Sequence, residues 1–483
     1  MTFWLYTQAK ENPQKTYLFE GDREISFLEM EYIVRQVVAQ MKKVGIRQGD
    51  HVAIRAYNNS AYIALLHAIP RIGGMAVPLN VRLSEKQVMG QLEQSEATVL
   101  IEESTFHLNT DLPRFALESL MEPYTENMTI KSYEEEYVPW DLKRDFAIFF
   151  TSGTTGKPKG AVLTLSNIFH NAIGSKERLG IKPDDLWIIT LPIYHVGGMS
   201  IIFRGAIYGI GSILIKKFDI EGICKAIQSG GSILSLVPTM LHRFLKEGQG
   251  KCLAKLRCLL LGGAKANKSL VKRALNEGIP IYTTYGLTEA ASQVTTATPE
   301  EVRQFPDTVG YPIDGVEVRI AAKPSEIGEI SVRGSTIMKG YYKDSQKTSE
   351  CFRDGWFFTG DLGRIENGRL FTFGRRKDLI VCGGENIYPA EIEACLQEME
   401  GLKEVCAVGV EDEEWGEVVG LAVVPNTSED LKHLQEQIIE IVSNELGRFK
   451  RPRKFIFLEK LPKTATGKVK REEILDLFYK KRR

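Results

Sequence analysis

Apolar and polar positions follow two alternating periods along the chain, which indicates helices and strands in regular succession. After Ser26, apolar residues recur every three or four positions until Gly45, and Ser26 with Glu29 forms a capping-box pattern. A second helix start is predicted at Ser84, with Gln87 three residues later. Both segments are therefore predicted to be amphipathic helices with defined N-termini.

Strand-like runs separate these and other helical segments. They cover residues 51–57, 186–192, 212–216, 232–237, 256–263 and 279–286. Strands that alternate with helices predict an α/β fold with parallel-type sheets covered by helices. Ligands of such folds bind at the carboxyl ends of the strands.

The pattern changes twice in the last third of the chain. From about Thr308 it consists of short strands broken by glycines, and beyond Gly374 helices return among strands. We predict a large N-terminal domain over 1–376, with a β subdomain over 308–373, and a smaller α+β domain over 377–483. A chain of 483 residues is also too long for one typical core.

Composition and charge narrow the classes of protein. The chain is 43% hydrophobic and 26% charged, and 62 basic residues balance 62 acidic ones, so nothing favours nucleic acid or an anionic membrane as the main partner. Between 186 and 215 the only charge is Arg204, but prolines and glycines interrupt this stretch. It therefore predicts buried strands and a helix rather than a membrane span.

The cysteines and the N-terminus indicate a cellular compartment. None of the seven cysteines stands in a C-x-x-C spacing, which suggests neither a disulfide framework nor a zinc ribbon. The apolar quartet 3–6 is too short for a signal peptide. We expect a reducing cytoplasm, and the oligomeric state, including a homo-oligomer, stays open.

The segment TSGTTGKPKG, residues 151–160, follows a buried strand pattern and combines glycines, hydroxyl side chains and two lysines. Free backbone N–H groups, hydroxyls and positive charge suit a polyphosphate chain. The spacing differs from the NTPase P-loop, because Pro158 stands where a Ser or Thr would bind magnesium. Taken alone, the segment also fits a flexible surface loop.

Eight motifs together resemble one family, the adenylate-forming enzymes that include acyl-CoA synthetases. In chain order they are TSGTTGKPKG (151–160), LPIYHVGG (191–198), LLLGGAK (259–265), YGLTEA (285–290), WFFTGD (356–361), GRRKDLI (374–380), GGENIYPAEIE (383–393) and PKTATGKVKR (462–471). The resemblance covers nearly the whole chain. It implies that a carboxylate is joined to AMP with release of pyrophosphate and is then transferred to the thiol of CoA.

The resemblance also implies roles at the nucleotide phosphates. The residues that would hold the β- and γ-phosphates are Thr151, Ser152, Gly153, Thr154, Thr155 and Lys159. Glu289 and Thr151 would help to place Mg²⁺, which prefers oxygen ligands. Thr288 would reach the α-phosphate.

For the nucleoside, the resemblance implies an adenine slot and a ribose contact. The slot would lie between Gly263, Ala264 and the strand residues Thr284, Tyr285 and Gly286. Asp361, helped by Arg375, would accept hydrogen bonds from the ribose hydroxyls. Considered singly, Asp361 is equally well explained as a turn residue or a helix cap.

Lys468 would bridge the carboxylate and α-phosphate oxygens during adenylation. The resemblance further implies that the smaller domain is mobile and rotates about a hinge at Lys377 between the two half-reactions. From Arg448 to Arg483 we count 14 basic and 4 acidic residues. Without the other motifs, this tail and Lys468 are also explained as a solvated face or a nucleic-acid patch.

The acid is indicated by a further similarity. The segments around Arg204, 235–241 and 285–293 resemble those of ligases in this family that activate o-succinylbenzoate for menaquinone biosynthesis. The second carboxylate of that acid needs a donor or a cation if it is buried. The candidate substrate contacts are His195, Arg204, Lys265, Thr283 and Ser292. His195 is alternatively a packed structural residue, and another aryl or medium-chain acid remains an alternative substrate.

Overall fold

The chain folds into a large N-terminal part and a smaller C-terminal domain. The structure is a computed structural model that describes residues 3–121, 141–151, 158–266, 268–322, 326–375, 378–382, 385–412, 415–426, 430–464 and 467–480. Its helices are α1 (Trp4–Glu11), α2 (Phe27–Lys43), α3 (Ser60–Ile72), α4 (Glu85–Gln94), α5 (Leu165–Leu179), α6 (Val196–Tyr208), α7 (Ile220–Gln228), α8 (Pro238–Lys246), α9 (Gly250–Leu253), α10 (Lys268–Asn276), α11 (Pro299–Gln304), α12 (Ser345–Cys351), α13 (Pro389–Cys395), α14 (Leu431–Leu446) and α15 (Arg471–Lys480).

The strands form four sheets. Those of the large part are β1 (Thr16–Glu20), β2 (Arg23–Ser26), β3 (His51–Arg55), β4 (Met75–Pro78), β5 (Val99–Glu102), β6 (Arg114–Ala116), β7 (Asp145–Thr151), β8 (Lys159–Thr164), β9 (Leu186–Ile189), β10 (Gly211–Leu214), β11 (Ile233–Leu236), β12 (Cys258–Leu261), β13 (Ile281–Leu287), β14 (Ser292–Ala297), β15 (Tyr311–Pro312), β16 (Val316–Ile320), β17 (Gly328–Gly334), β18 (Gly340–Tyr341), β19 (Phe352–Arg353), β20 (Trp356–Glu366) and β21 (Arg369–Arg375). Those of the C-terminal domain are β22 (Ile380–Cys382), β23 (Glu385–Ile387), β24 (Leu402–Asp412), β25 (Gly416–Pro425) and β26 (Lys454–Phe457).

Two large sheets build the main core. The first has the order β15-β14-β13-β12-β11-β9-β10-β1-β2, and the second has the order β18-β8-β7-β4-β3-β5-β6. Neighbours from β13 through β1 are parallel, whereas β14, β15 and β2 add antiparallel edges. Residues of α2, α3 and α6 share one buried cluster with strands of both sheets, such as Trp187 and Phe146. The predicted α/β architecture with helix-covered, parallel-type sheets is confirmed.

A third sheet of β16, β17, β20, β19 and β21 forms the β region expected after Thr308. In the C-terminal domain β22–β26 form the fourth sheet, with α13 and α14 against one buried cluster and α15 against another. The smaller α+β domain is confirmed, whereas the exact limits of the domains stay predictions. The predicted boundary lies at residues 376–377, which are outside the described part of the chain.

Local signals match the helix starts, with one difference. Ser84 and Gln87 form the full capping box of α4, and the Ser26 hydroxyl accepts from the Glu29 N–H at 3.1 Å. The Glu29 carboxylate binds Arg23 at 2.7 Å instead of returning to the cap. An ion pair within reach thus replaces the second half of the predicted box.

Two findings bear on the compartment and membrane expectations. Cys224 of α7 and Cys252 of α9 are joined as a disulfide, with Cα atoms 5.9 Å apart. Their 28-residue separation carries no spacing signal, so the sequence indicated no such pair. In the described part of the chain, no helix is both long enough and apolar enough to cross a membrane.

Candidate active site

The YGLTEA motif lies where β13 ends at the carboxyl edge of the first sheet. Thr288 and Glu289 occupy a single 3₁₀ turn between β13 and β14. Ala291 and Ser292 have positive φ angles of 56° and 123° after it, and the chain reverses here into the antiparallel strand β14. The Met338 N–H donates to the Glu289 carbonyl at 2.8 Å, which fixes the turn against the segment that leads into β18.

The ribose candidate Asp361 lies in β20 and is held from two sides. The Tyr285 hydroxyl donates to one carboxylate oxygen at 2.7 Å, and Arg375 Nε lies 2.7 Å from the other. Asp361 and Arg375 are direct partners in the β20–β21 ladder. Burial raises the pKa of Asp361, and the charge of Arg375 opposes this rise. Strand pairing therefore aligns the carboxylate that we expect at the ribose.

The slot expected for adenine is shaped by close backbone packing. Gly263 has a φ angle of 77°, and it and Ala264 are exposed at the end of β12. A Cβ at neighbouring Gly262 would lie 2.5 Å from Thr284 Cγ2, so only glycine fits there. At Gly286 a Cβ would lie 1.9 Å from the Ser292 carbonyl oxygen. The two candidate walls, which end β12 and β13, belong to neighbouring parallel strands.

The phosphate loop is described only at its two ends. Ser152, Gly153, Thr154 and Thr155 lie outside the described residues. Thr151 ends β7 and pairs with Lys159 at the start of β8, and Gln94 Nε2 donates to the Pro158 carbonyl at 3.0 Å. The antiparallel β7–β8 pair thus holds both ends of the loop together.

Lys468 comes from the C-terminal domain and enters the same site. Burial and the charge of Arg375 lower the pKa of its ammonium group, while Asp361 and Glu289 act in the opposite direction. The Thr464 N–H donates to the Lys468 carbonyl at 2.7 Å, which closes a backbone hairpin. Residues widely separated in sequence are therefore brought together.

The Lys468 hairpin docks on the large domain at one tight contact. Gly467 has a φ angle of 82°, and a Cβ there would lie 2.7 Å from Thr239 Cγ2, in the first turn of α8. Because glycine alone accepts both constraints, the neighbouring lysine can approach the nucleotide candidates closely. Thr239 was not among the candidates, although it lies in the segment 235–241, because the sequence does not show that Gly467 packs against it.

His195 precedes the first residue of α6 and lies near Lys468. Burial lowers its pKa to about 4, and the charges of Lys468 and Arg82 act in the same direction. The His195 and Tyr194 rings are 4.8 Å apart. The imidazole is therefore neutral at physiological pH.

Two of the other substrate candidates, Arg204 and Thr283, contact residues of the large domain. Arg204 of α6 is 2% exposed, donates to the Asn171 amide oxygen at 2.8 Å, and lies 5.4 Å from the Trp187 ring centroid. The Thr283 hydroxyl donates to the Thr308 carbonyl at 2.7 Å. The structure thus gives both side chains protein partners inside the large domain.

The remaining two candidates lie nearer the edges of the site. Ser292 opens β14 beside Gly286. Lys265 lies 5.5 Å from the Phe373 ring centroid, and its ammonium group is influenced by the carboxylates of Glu393 and Glu391 of α13. Lys265 is therefore placed at the contact with the C-terminal domain.

The hinge candidate Lys377 lies outside the described residues. The next residue, Asp378, pairs with Arg471 at 3.5 Å, and Arg471 also binds the Glu393 carboxylate at 2.6 Å. This cluster joins the start of the C-terminal domain to α13 and to the first residue of α15, three positions after Lys468. It therefore connects the residue next to the predicted hinge with the segment that follows the Lys468 hairpin.

The residues that could hold a metal fit magnesium better than zinc. No group of three or more His, Cys, Asp or Glu side chains with metal-binding geometry occurs among the described residues. Glu289 instead offers a single carboxylate, which accepts a hydrogen bond from the Tyr341 hydroxyl. Mg²⁺ is commonly bound in this way, by one or two carboxylates together with substrate phosphates and waters.

Two family models match the chain. The AMP-binding enzyme model matches residues 5–342, and the AMP-binding enzyme C-terminal domain model matches residues 391–468. The chain belongs to the AMP-binding enzyme family. This confirms the family resemblance and the assignment of the chain as an enzyme.

Curated and solved relatives of this AMP-binding enzyme cover its whole length. It is 35% identical to a 2-succinylbenzoate–CoA ligase of Bacillus thuringiensis subsp. konkukian, over 99% of this chain and 98% of the relative. It is 32% identical to the o-succinylbenzoate CoA synthetase of Bacillus subtilis in complex with its acyl-adenylate intermediate, with a TM-score of 0.90 and 98% of each chain covered.

Two further structures of the B. subtilis enzyme differ in what they bind. Its complex with ATP and magnesium ion matches with a TM-score of 0.89 at 32% identity, over 98% of this chain and 99% of that chain. A double mutant bound with a product analogue matches with a TM-score of 0.75 at 33% identity, over 99% and 98%. The arrangement of this chain is thus more similar to the nucleotide complexes than to the product-analogue complex.

Proposed function

We propose that this AMP-binding enzyme is an ATP-dependent o-succinylbenzoate–CoA ligase of menaquinone biosynthesis. In the first half-reaction an oxygen of the succinyl carboxylate forms a bond to the α-phosphorus of ATP, and the bond to pyrophosphate breaks. In the second, the CoA sulfur bonds to the acyl carbon, its proton is lost and AMP leaves. The products are o-succinylbenzoyl-CoA, AMP and pyrophosphate.

The observation that carries the proposal is the position of Lys468. Its ammonium group comes from the C-terminal domain, yet it lies within electrostatic range of Asp361 and Glu289 of the large domain and of His195. Adenylation brings an anionic carboxylate against an anionic phosphate, so a cation between them stabilises the transition state. The neutral His195 imidazole supplies a hydrogen bond near the reacting carboxylate without adding a second charge.

The remaining roles follow the nucleotide. Asp361 and Arg375 hold the ribose, the segments at Gly263 and Tyr285 hold adenine, and Thr288 contacts the α-phosphate. Bound Mg²⁺ would neutralise phosphate charge and orient the departing pyrophosphate. Glu289 and Thr151 are the protein groups that would hold it, and Lys159 and the loop 151–155 would hold the β- and γ-phosphates.

A domain rotation would follow adenylation. Lys468 lies within electrostatic range of Asp361 and Glu289 in this structure, and the thiol of CoA must reach the acyl carbon after adenylation. The higher TM-score to the acyl-adenylate complex than to the product-analogue complex of the B. subtilis enzyme supports two orientations of the small domain. Rotation about Lys377 would withdraw Lys468 and admit CoA.

Arg204 is the cation that we propose for recognition of the second, aromatic carboxylate. Burial lowers the pKa of its guanidinium, and the hydrogen bond that it donates goes to the neutral amide oxygen of Asn171. A buried cation without an anionic partner is costly, so an anionic substrate group would compensate it. Lys265, Thr283 and Ser292 stay further candidates for contacts with the acid.

The test is pyrophosphate release measured over a panel of acids, with the CoA product identified by mass. We expect turnover with o-succinylbenzoate and much less with benzoate or a medium-chain fatty acid. Turnover of those acids with o-succinylbenzoate inert would replace the proposed substrate by another aryl or medium-chain acid. Absence of pyrophosphate release with every acid would refute ligase activity itself.

A variant tests the proposed substrate contact separately. R204Q should raise the KM for o-succinylbenzoate by about tenfold or more, because one hydrogen-bonded charge is lost, and leave the KM for ATP unchanged. Equal losses for acids with and without a second carboxylate would instead assign Arg204 to packing against Trp187 and Asn171. The cytoplasmic location and a homo-oligomeric state remain predictions.

A further inference from the structure

Tyr341 lies between two charged groups to which the proposed function gives separate roles. Its hydroxyl donates to Glu289 Oε1 at 3.0 Å. The Lys159 ammonium lies 5.5 Å from the centroid of its ring. One side chain thus contacts both the carboxylate expected at Mg²⁺ and the lysine expected at the β- and γ-phosphates.

The backbone of Tyr341 is fixed from both sides, so this position is not a chance rotamer of a loose loop. β18 pairs with β8, with Tyr341 opposite Ala161, two residues after Lys159. The Tyr341 N–H donates to the Thr348 hydroxyl at 2.9 Å, and the Tyr342 N–H donates to the Gly160 carbonyl at 2.8 Å. The ring is therefore carried by β18, which pairs with β8, the strand that begins at Lys159.

Two opposite charges that contact one side chain could also contact each other directly. An ammonium and a carboxylate that approach each other directly form an ion pair, in which each satisfies the other. Within the part of the chain that the structure describes, Lys159 and Glu289 form no such pair; each contacts Tyr341 instead. The cation faces the ring, where the attraction is to the π-face, and the carboxylate accepts from the hydroxyl.

We propose that Tyr341 is a positioning residue that keeps Lys159 and Glu289 apart and aims them at the phosphate chain and at Mg²⁺ of one bound nucleotide. This inference rests on the proposed function, because it concerns the same nucleotide site. Through its hydroxyl, Tyr341 couples Mg²⁺ binding to nucleotide binding. Through its ring, it keeps the Lys159 charge available for phosphate oxygens.

The neighbouring residue offers a matched control. The Tyr342 hydroxyl also donates to a glutamate, Glu96, at 2.9 Å. Glu96 lies in the turn after α4, and no role at the nucleotide is proposed for it. Y341F and Y342F therefore remove the same atom from adjacent residues, and only the first removal concerns the proposed site.

The experiment measures binding without turnover. The dissociation constant of a non-hydrolysable ATP analogue is determined by titration calorimetry with Mg²⁺ and with EDTA, and the ratio of the two values is the Mg²⁺ enhancement. We expect Y341F to reduce this enhancement by about three- to tenfold, the size of one hydrogen bond to a charged group at a partly exposed site. Y342F should leave it unchanged.

A double-mutant cycle distinguishes positioning from a general structural effect. In an E289Q background Y341F should have little further effect on the enhancement, because the two residues act through one contact. Additive losses would overturn the proposal, as would an unchanged enhancement in Y341F. Y341H, which keeps a ring and an N–H donor, should retain more enhancement than Y341F, and equal losses in these two variants would also count against it.

The outcome also separates this inference from the function on which it rests. If the wild-type chain binds no nucleotide in the presence of Mg²⁺, the proposed function fails. If the wild type binds normally and Y341F behaves like Y342F, the proposed function stands and the role of Tyr341 fails.

Discussion

The Tyr285 hydroxyl donates to Asp361 at 2.7 Å across two sheets, while Arg375 holds the second oxygen of the same carboxylate. Tyr285 lies in β13 of the first large sheet, and Asp361 lies in β20 of the β region. Both oxygens keep lone pairs for the ribose, because a carboxylate accepts about four hydrogen bonds. The contact therefore orients the carboxylate before the nucleotide arrives.

The first prediction concerns this contact. Y285F should raise the dissociation constant of ATP by roughly three- to tenfold, because one hydrogen bond to a charged acceptor is lost while the aromatic wall remains. D361A should raise it further, since the ribose then loses its acceptor. Titration of both variants with ATP measures the two effects. Y282F, on the same strand but three residues away, serves as control and should bind ATP like the wild type.

The second prediction concerns Gly467 and the docking of Lys468. G467A should slow adenylation by at least about tenfold, because Cβ meets Thr239 and φ is positive there. Conversion of a supplied acyl-adenylate to the CoA ester should be much less affected, since the proposed rotation would withdraw Lys468 before that step. The two half-reactions are measured by pyrophosphate exchange and by thioester formation.

G355A is the matched control for this variant. Gly355 has a similar φ angle of 77°, but a Cβ there would have no neighbour within 4 Å. The G355A variant should be slightly less stable than the wild type. It should not slow one half-reaction more than the other. Equal slowing of both half-reactions in G467A would contradict a docking role for Gly467.

The third prediction is a pH dependence. Burial and Arg375 lower the pKa of Lys468 below its ordinary value of 10.5, so its proton is lost as pH rises through a value below 10.5. The adenylation rate should therefore fall at high pH, on the alkaline limb of its pH profile, because only the ammonium form stabilises the developing charge. K468R should lack this limb, since a guanidinium keeps its proton.

Pyrophosphate exchange between pH 7 and pH 11 measures this profile in parallel variants. K470R changes a neighbouring lysine that pairs with Glu473 at 2.6 Å, so its profile should match that of the wild type. A limb that persists unchanged in K468R would assign the titration to another group.

The fourth prediction concerns stability in acid. Burial lowers the pKa of His67 to about 3, and the charge of Arg71 acts in the same direction. Tyr17 is its hydrogen-bond partner at 2.8 Å. As the pH falls, the unfolded chain takes up a proton on His67 at a higher pH than the folded chain does. The free energy of unfolding therefore has its full value above pH 6.5 and decreases progressively as the pH falls from there towards about 3.

By pH 5 this loss should be about 2 kcal/mol in the free energy of unfolding, from 1.36 kcal/mol per pKa unit. H67Q does not titrate, so its urea midpoint should fall less between pH 7 and pH 5 than that of the wild type. H242Q alters an exposed histidine of α8 and should keep the wild-type slope. Parallel slopes in H67Q and the wild type would show that another group controls acid stability.

Local signals in the sequence predicted much of the fold. Three features depend on residues close together in sequence: the capping box at Ser84, the buried strands, and the alternation of strands and helices in the two large sheets. Such features are visible in the spacing of polar and apolar residues along the chain. The family and the order of its motifs were likewise apparent, because these segments are contiguous.

Contacts between distant segments were decided by the tertiary structure. Tyr341 was not a candidate, since only β18–β8 pairing and the turn at Glu289 bring its two partners to it. The same holds for Thr239 at Gly467 and for the pair of Cys224 and Cys252. The position of Lys265 beside Phe373 and α13 was likewise decided by the tertiary structure.

The sequence by itself determined which segments could bind a nucleotide, because hydroxyl, glycine and charge patterns are local properties. The order of strands in the sheets and the docking of the C-terminal domain decided which of them share one site. The physical reason is that a side chain's partners depend on distances between elements, and those distances arise only when separate cores pack together.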